Sequence, residues 1–151
     1  MSLIFLFLNL LSLMIDNSFS LHQNEQLLTG KIISSDISYT TILNAFDNDT
    51  QTTFTSYFQK CWIGLDLLTE HHITKIGWAQ NTNDKSNYIL GIFEGANNDN
   101  FNDSLPIYMI KEEQKINEMN YVDIFTTKPF RYLKLKSMDI MIKQKFLILE
   151  K

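Results

Sequence analysis

Two carboxylates and a hydroxyl lie close together in the segment NAFDNDTQTT, which spans residues 44–53. Asp47, Asp49 and Thr52 are its oxygen donors, and a tight turn would add main-chain carbonyl groups. Hard cations such as Ca²⁺ require several oxygen ligands of this kind, so the spacing predicts a cation site at the turn. The alternative is an Asx turn in which Asp47 accepts hydrogen bonds from nearby amides and no ion is bound.

The other reactive residues do not form a recognisable catalytic pattern. His22, His71 and His72 lack the spacing of metal ligands, and the adjacent pair is predicted to lie in a turn. There is no G-x-S-x-G motif, no phosphate-binding loop and no Cys/His zinc pattern. We therefore expect no enzyme activity, although sequence alone leaves open a pair of carboxylates for glycoside hydrolysis. The net charge of −4 argues against a nucleic-acid partner.

The segments that separate the candidate site residues have sequences typical of short β-strands. In Trp62–Leu67 every odd-numbered position is Ile or Leu, which predicts a strand with one apolar face. Similar segments recur about every ten residues with little helix between them, so a single all-β domain is expected, an antiparallel sandwich or barrel. A turn is predicted at Leu68–His72 and one helical turn at Ile42–Phe46. The predicted strands span residues 31–35, 53–57, 62–67, 73–80, 88–96, 107–111, 121–125, 130–136 and 145–149.

The first twenty residues differ from the rest of the chain. Leu3–Ile15 is apolar apart from Asn9 and Ser12, and its thirteen residues would span only about 20 Å as a helix. Small residues precede position 21, so we predict a secretory signal peptide at 1–20 and a single extracellular domain at 21–151. The segment carries no Lys or Arg, and the alternatives are a buried N-terminal element or an uncleaved anchor.

Cys61 is the only cysteine of the chain, which excludes an internal disulfide. It is predicted to be a small buried hydrophobic residue, and the alternative is a disulfide to another chain.

Several segments resemble, in order and spacing, the discoidin family, also called the coagulation factor V/VIII C-type domain. The first, Ala45–Phe54, is similar to the family segment A-x-D-G-D-x-x-T-x-W, with Asn48 in the Gly position and Phe54 in the Trp position. Asn is the usual substitute where the backbone must be left-handed. The resemblance covers roughly Gly30 to Leu149. The later segments are CWIGLDL at 61–67, ITKI at 73–76, GIFEGAN at 91–97 with Phe101 after it, and FRYLK at 130–134.

This resemblance implies a jelly-roll antiparallel β-sandwich similar to galactose-binding domains and to family 32 carbohydrate-binding modules. Members are mostly non-catalytic and bind sugars, phospholipid surfaces or proteins through loops at one end. Many sugar-binding relatives hold a structural calcium at the turn formed here by Asp47, Asp49 and Thr52. The family usually adds a Glu from the last strand, but this strand has no carboxylate before Glu150.

The resemblance also implies which loops would contact a ligand. A sugar site requires an aromatic side chain for the apolar face of a pyranose and planar polar groups for its hydroxyls. Relatives often have Arg where this chain has Gln80. For each aromatic the alternative is ordinary packing in the core or at its rim. The candidates are Tyr39, Tyr57, Phe58, Gln80, Asn81, Asn83 and Lys143.

A second ligand surface is predicted in the loop before the last strand. Residues 138–142 read MDIMI, an apolar run where relatives have polar turns. Such a tip beside Lys143 could enter a membrane or contact a partner protein, or it could extend a strand and pack inward. We therefore expect a secreted module that binds a galactose-type or related sugar at a cell or matrix surface. The alternative is a membrane-lipid or protein adhesion module.

Overall fold

The chain forms two packed β-sheets and almost no helix. The computed structural model describes residues 25–35, 41–56, 61–80, 91–111, 114–137 and 142–150. Within these ranges there is one short 3₁₀ helix, Ile42–Ala45, and no helix long and apolar enough to cross a bilayer. The strands are β1 (Gln26–Leu27), β2 (Lys31–Ser34), β3 (Phe54–Ser56), β4 (Trp62–His71), β5 (Lys75–Gln80), β6 (Gly91–Ala96), β7 (Leu105–Met109), β8 (Met119–Asp123), β9 (Phe130–Ser137) and β10 (Ile142–Glu150).

The strands form two five-stranded antiparallel sheets. Sheet A has the order β1-β10-β5-β8, and β3 also pairs with β10. Sheet B has the order β2-β4-β9-β6-β7. Neighbours in both sheets are often distant in sequence, as expected for a sandwich whose chain crosses repeatedly between sheets. This architecture confirms the predicted all-β antiparallel sandwich.

Strand β4 continues beyond the predicted end of its alternating pattern. It runs to His71, and its pairing with β9 is irregular between Asp66 and His71. Leu68 adopts a φ of 69°, a conformation that its side chain disfavours. The predicted turn at 68–72 is therefore largely a distorted strand. The prediction failed because Leu carries no signal for left-handed backbone.

The core lies between the two sheets. Ile63, Leu65 and Leu67 of β4 are all buried, which confirms the apolar face predicted from their alternation. Opposite them, Ile76 and Trp78 of β5 enter the same cluster. The thiol of Cys61 is only 2% exposed, which agrees with a buried hydrophobic residue and leaves little of it accessible to another chain.

An ion pair joins β4 to β9 beside the strand irregularity. Arg131 donates from Nε to Oδ1 of Asp66 at 2.8 Å and from its terminal nitrogen to Oδ2 at 3.0 Å. The amide of Leu68 also donates to Oδ1, at 2.9 Å. The hydrogen bonds from Arg131 are the main reason that the pKa of Asp66 lies below its usual value, although burial opposes the shift.

Gly64→Ala is expected to destabilise the protein by about 1–3 kcal/mol, the usual cost of overpacking. A Cβ at Gly64 would lie 1.9 Å from the main-chain oxygen of Leu133, so a strand would have to move. Gly77→Ala is the matched control, because its Cβ would meet only the side-chain ends of Tyr121 and Met119. Urea unfolding would measure both variants. Equal losses of stability in the two variants would show that the close approach of β4 and β9 at Gly64 does not account for the effect.

Arg131→Gln is expected to reduce the loss of stability on acidification. A lowered pKa means that the Asp66 carboxylate stabilises the fold above the pKa of an unfolded aspartate, and this contribution is lost as the pH falls below it. Wild type should therefore lose more stability than the variant between about pH 6 and about pH 3. Lys115→Gln is the control, because its pair with Glu118 is exposed. Parallel pH profiles for wild type and Arg131→Gln would contradict the assignment.

Candidate functional site

The described strand ends that flank the predicted ligand loops meet at one end of the sandwich. In sheet B these ends are paired as Ser34 with Ile63, Trp62 with Lys136 and Gly91 with Ser137. In sheet A they are paired as Ser56 with Ile142 and Gln80 with Gln144. The two sets belong to the same end, because only residues 138–141 separate Ser137 from Ile142 and only residues 57–60 separate Ser56 from Cys61. We call this the loop end.

Most of the predicted ligand residues fall outside the described ranges. Tyr39, Tyr57, Phe58, Asn81 and Asn83 belong to residues 36–40, 57–60 and 81–90, and their roles stay predictions. The apolar tip at 138–142 also lies outside, apart from Ile142 at the start of β10. The backbone of Lys143 pairs with that of Thr55 in the loop-end half of β10. The structure does show that the strands on either side of these segments end at the same place, the loop end.

Gln80 is placed differently from the other candidates. Its side chain is 1% exposed, and it continues the inward-facing series of Ile76 and Trp78 on β5. The main-chain carbonyl oxygen of Gln80 accepts a hydrogen bond from the main-chain amide of Asn117 at 2.8 Å. In this conformation Gln80 presents almost no surface to a sugar. A supporting role beneath the loop end fits its position better than direct contact.

The predicted cation turn is closed by its own hydrogen bonds. Oδ1 of Asp47 accepts from the amide of Asp49 at 3.0 Å, and Oδ2 accepts from the hydroxyl of Thr52 at 2.6 Å. Oδ1 of Asp49 accepts from the amide of Gln51 at 2.9 Å. Asn48 has a φ of 62°, so it does adopt the left-handed conformation expected where the family has Gly.

The same turn has part of the chemistry of a calcium site. Asp47 and Asp49 are exposed, and a carboxylate oxygen has more than one lone pair, so a hydrogen bond does not exclude coordination. Among the described residues, however, no three His, Cys, Asp or Glu side chains lie close enough together to hold a metal ion. Further ligands at this turn would therefore be carbonyl, hydroxyl or water oxygens.

The two adjacent histidines have separate structural partners. His71 lies in β4, with Nδ1 2.6 Å from Oε2 of Glu150 on β10, and this contact joins the two sheets. His72 lies beyond the strand, with Nδ1 3.0 Å from the carbonyl oxygen of Thr126. The two rings therefore contact different parts of the fold.

An aromatic cluster on the outer face of sheet B supports the start of β4. The rings of Trp62 and Phe101 are 5.2 Å apart, and that of Tyr132 is 5.9 Å from Phe101. The Lys134 ammonium lies 3.9 Å from the Phe101 ring centroid and 3.1 Å from Oε2 of Glu94. Lys134 therefore makes a cation–π contact and an ion pair, both largely shielded from water. These contacts fix the strand that leads to the loop end.

Phe101 reaches this cluster because the loop at 97–104 folds back over the sheet. Its φ of 57° is left-handed, and Asp103 accepts hydrogen bonds from the amides of Asn97 and Asn98 at 3.1 and 3.2 Å. Burial alone would raise the pKa of Asp103, but these amide donors lower it overall. In the sequence, Phe101 stood out only by its position after the GIFEGAN segment. Its contacts with the rings of Trp62 and Tyr132 were not predicted.

Comparison with known proteins finds similarity in solved structures only. No family model matches the chain, and no curated protein matches it. A family 62 carbohydrate-binding module from Clostridium thermocellum Xyl5A is 29% identical with a TM-score of 0.73, over 82% of this chain and 95% of that one. An F5/8 type C domain from Bacteroides fragilis is 13% identical with a TM-score of 0.67, over 85% and 98%. The family 32 module of AlyQ, solved with 4,5-unsaturated mannuronic acid, is 12% identical with a TM-score of 0.67, over 82% and 97%.

These structures are all galactose-binding-like domains. The chain therefore has the galactose-binding-like β-sandwich fold, and the resemblance to discoidin domains noted in the sequence is confirmed at the level of the fold.

Thr52→Val is expected to lower the free energy of unfolding by about 1 kcal/mol. The substitution keeps the shape of the side chain but removes the hydroxyl that donates to Asp47 and lies 3.0 Å from the carbonyl oxygen of Asp49. Thr127→Val, at an exposed position of another loop, is the control. Chemical denaturation would compare the two, and an unchanged stability for Thr52→Val would mean that the turn does not depend on this hydroxyl.

Proposed function

We propose that the chain is a secreted, non-catalytic carbohydrate-binding module that recognises glycan at a cell or extracellular surface. The observation that carries this proposal is the similarity to the carbohydrate-binding module from Clostridium thermocellum, which extends over 95% of that module at 29% identity. The similarity to a module solved with an unsaturated mannuronic acid supports the same class of ligand. A galactose-type or related sugar is the ligand that we propose.

The loop end is the proposed glycan site. Strand ends from both sheets converge there, and loops carried on a rigid scaffold are the usual place for binding residues. Tyr57 would stack on the apolar face of a pyranose, and the amides of Asn81 and Asn83 would bind its hydroxyls. One stacking ring and a few hydrogen bonds would give modest affinity, and several copies on one surface would raise the avidity.

One structural Ca²⁺ is proposed at the turn formed by Asp47, Asp49 and Thr52. The support is the exposure of both carboxylates and the left-handed Asn48, which gives the turn the shape expected from the family segment. The ion would supply rigidity, since the turn leads directly into β3, which pairs with β10 in its loop-end half.

A glycan array with and without calcium tests the proposal. Wild type is expected to bind a restricted class of sugars, and Tyr57→Ala and Asn81→Ala should each lose binding by about tenfold or more, the effect of one lost stacking or hydrogen-bonding group. Phe125→Ala is the matched control, because Phe125 is an aromatic residue that is 86% exposed in a different loop. Loss of binding in chelator would support the calcium site, and unchanged binding would exclude a need for the ion.

A blank array with folded protein would contradict the proposed function. Liposome flotation of wild type and Met141→Asp would then test the alternative, a lipid-binding tip at 138–142. Flotation that is lost in Met141→Asp would support that alternative.

A further inference from the structure

A cavity of about 510 Å³ lies beside the loop end, where β5 approaches Gln80, and on the opposite edge of sheet A from β3, which follows the Asp47–Thr52 turn. It lies between β8, the edge strand of sheet A, and β7, the edge strand of sheet B. Its volume is within the range of small-molecule sites, about 300–1,000 Å³. We call it the side cavity. Its principal lining side chains are Trp78, Tyr108, Gln114, Lys115, Asn120 and Val122.

The floor of the side cavity is aromatic and rigid. The rings of Trp78 and Tyr108 are 5.5 Å apart, and Phe93 lies 6.1 Å behind Trp78 in the core. Nε1 of Trp78 donates to Oε1 of Gln114 at 3.1 Å, which fixes the orientation of the indole. Trp78 is 5% exposed, so it forms the base of the cavity and is not a free surface platform.

One wall is held in place by hydrogen bonds. Oδ1 of Asn120 accepts from the amide of Lys115 at 3.0 Å, and Nδ2 donates to the carbonyl oxygens of Lys115 and Glu118 at 3.1 and 3.3 Å. The amide of Asn117 donates to the carbonyl oxygen of Gln80. Residues 114–120 are therefore fixed against β5, and the wall needs little ordering when a ligand binds.

The rim offers main-chain hydrogen-bonding groups. The amide of Ile124 donates to the carbonyl oxygen of Thr74, so even-numbered residues of β8 bond to β5. Alternation along an antiparallel pair then directs the amide and carbonyl of Tyr121, which lines the cavity, away from β5. β8 pairs only with β5 among the described strands, so no described strand covers this edge.

The charges at the rim are balanced. The side chain of Lys115 is 72% exposed, and its Nζ lies 3.7 Å from Oε2 of Glu118. A ligand with a full negative charge would gain little binding free energy from a lysine that already faces a carboxylate. A neutral polar ligand would lose no binding free energy through this pairing.

We propose that the side cavity is a second saccharide subsite, which takes one neutral sugar unit. The apolar face of the sugar packs against Val122 and the aromatic floor, and its hydroxyls bond to the rim formed by Tyr121 and Lys115. This inference rests on the proposed function, and it adds a subsite between the edge strands β7 and β8, next to the loop end. It would let one domain contact two points of a glycan.

Titration of ¹⁵N-labelled protein with D-galactose, D-mannose, L-fucose and D-xylose tests the subsite. The chain has two tryptophans, so Trp62→Phe assigns the indole signal of Trp78. A neutral sugar should shift this signal and the amide signals of Asn120. Val122→Phe fills the cavity and should weaken these shifts by about tenfold, whereas Val122→Ala leaves the cavity open and should retain them. Thermal unfolding of each variant would show that it is folded.

The outcomes separate this proposal from the proposed function. Shifts that Val122→Phe suppresses and Val122→Ala retains support the subsite. Array binding by a protein whose Trp78 and Asn120 signals respond to none of the four sugars, or respond equally in both variants, overturns the subsite alone. A protein that binds no glycan on the array and no sugar in the titration overturns both proposals.

Discussion

The close approach of β4 and β9 is the constraint on which the rest of the structure depends. At Gly64 the two backbones leave no room for a Cβ atom, so this strand pair cannot shift without losing its ladder. The ion pair of Asp66 with Arg131 fixes one part of these two strands, and the contact of Lys134 with the Phe101 ring fixes the other part. Because β4 begins and β9 ends at the loop end, the same contacts fix the framework from which the candidate binding loops emerge.

Alternation and the family segments were sufficient to predict the sandwich. The inward face of β4 and the left-handed Asn48 were both visible in the sequence, since each depends on one residue and its immediate neighbours. The extension of β4 through Leu68 was not visible, because the carboxylate of Asp66 that accepts from the Leu68 amide is itself held by Arg131, a residue distant in the chain. The local alternation of apolar residues predicted the strands, whereas tertiary contacts determined where the strands end.

The candidate site was predictable only in part. Gln80 was assigned to the ligand because it is polar and stands where relatives often have Arg, although its place in the series of Ile76 and Trp78 already favoured burial. Periodicity was the stronger signal there, because the direction of a side chain on a strand is set by the backbone. The side cavity could not be predicted at all, since it depends on the pairing of β5 with β8 and on the packing of β7 from the other sheet, and both are contacts between distant parts of the chain.

The contrast between two lysines has a consequence for how the protein can be handled. The side chain of Lys134 is 10% exposed and held by Glu94 and Phe101, whereas that of Lys115 is 72% exposed at the rim of the side cavity. Amine-reactive reagents attack the accessible, unprotonated group, so biotinylation or surface coupling through lysines would modify Lys115 and spare Lys134. On a sensor chip prepared in this way, the molecules that are coupled through Lys115 would be attached beside the side cavity, which would then be obstructed. Attachment through an engineered terminal tag would leave that face open.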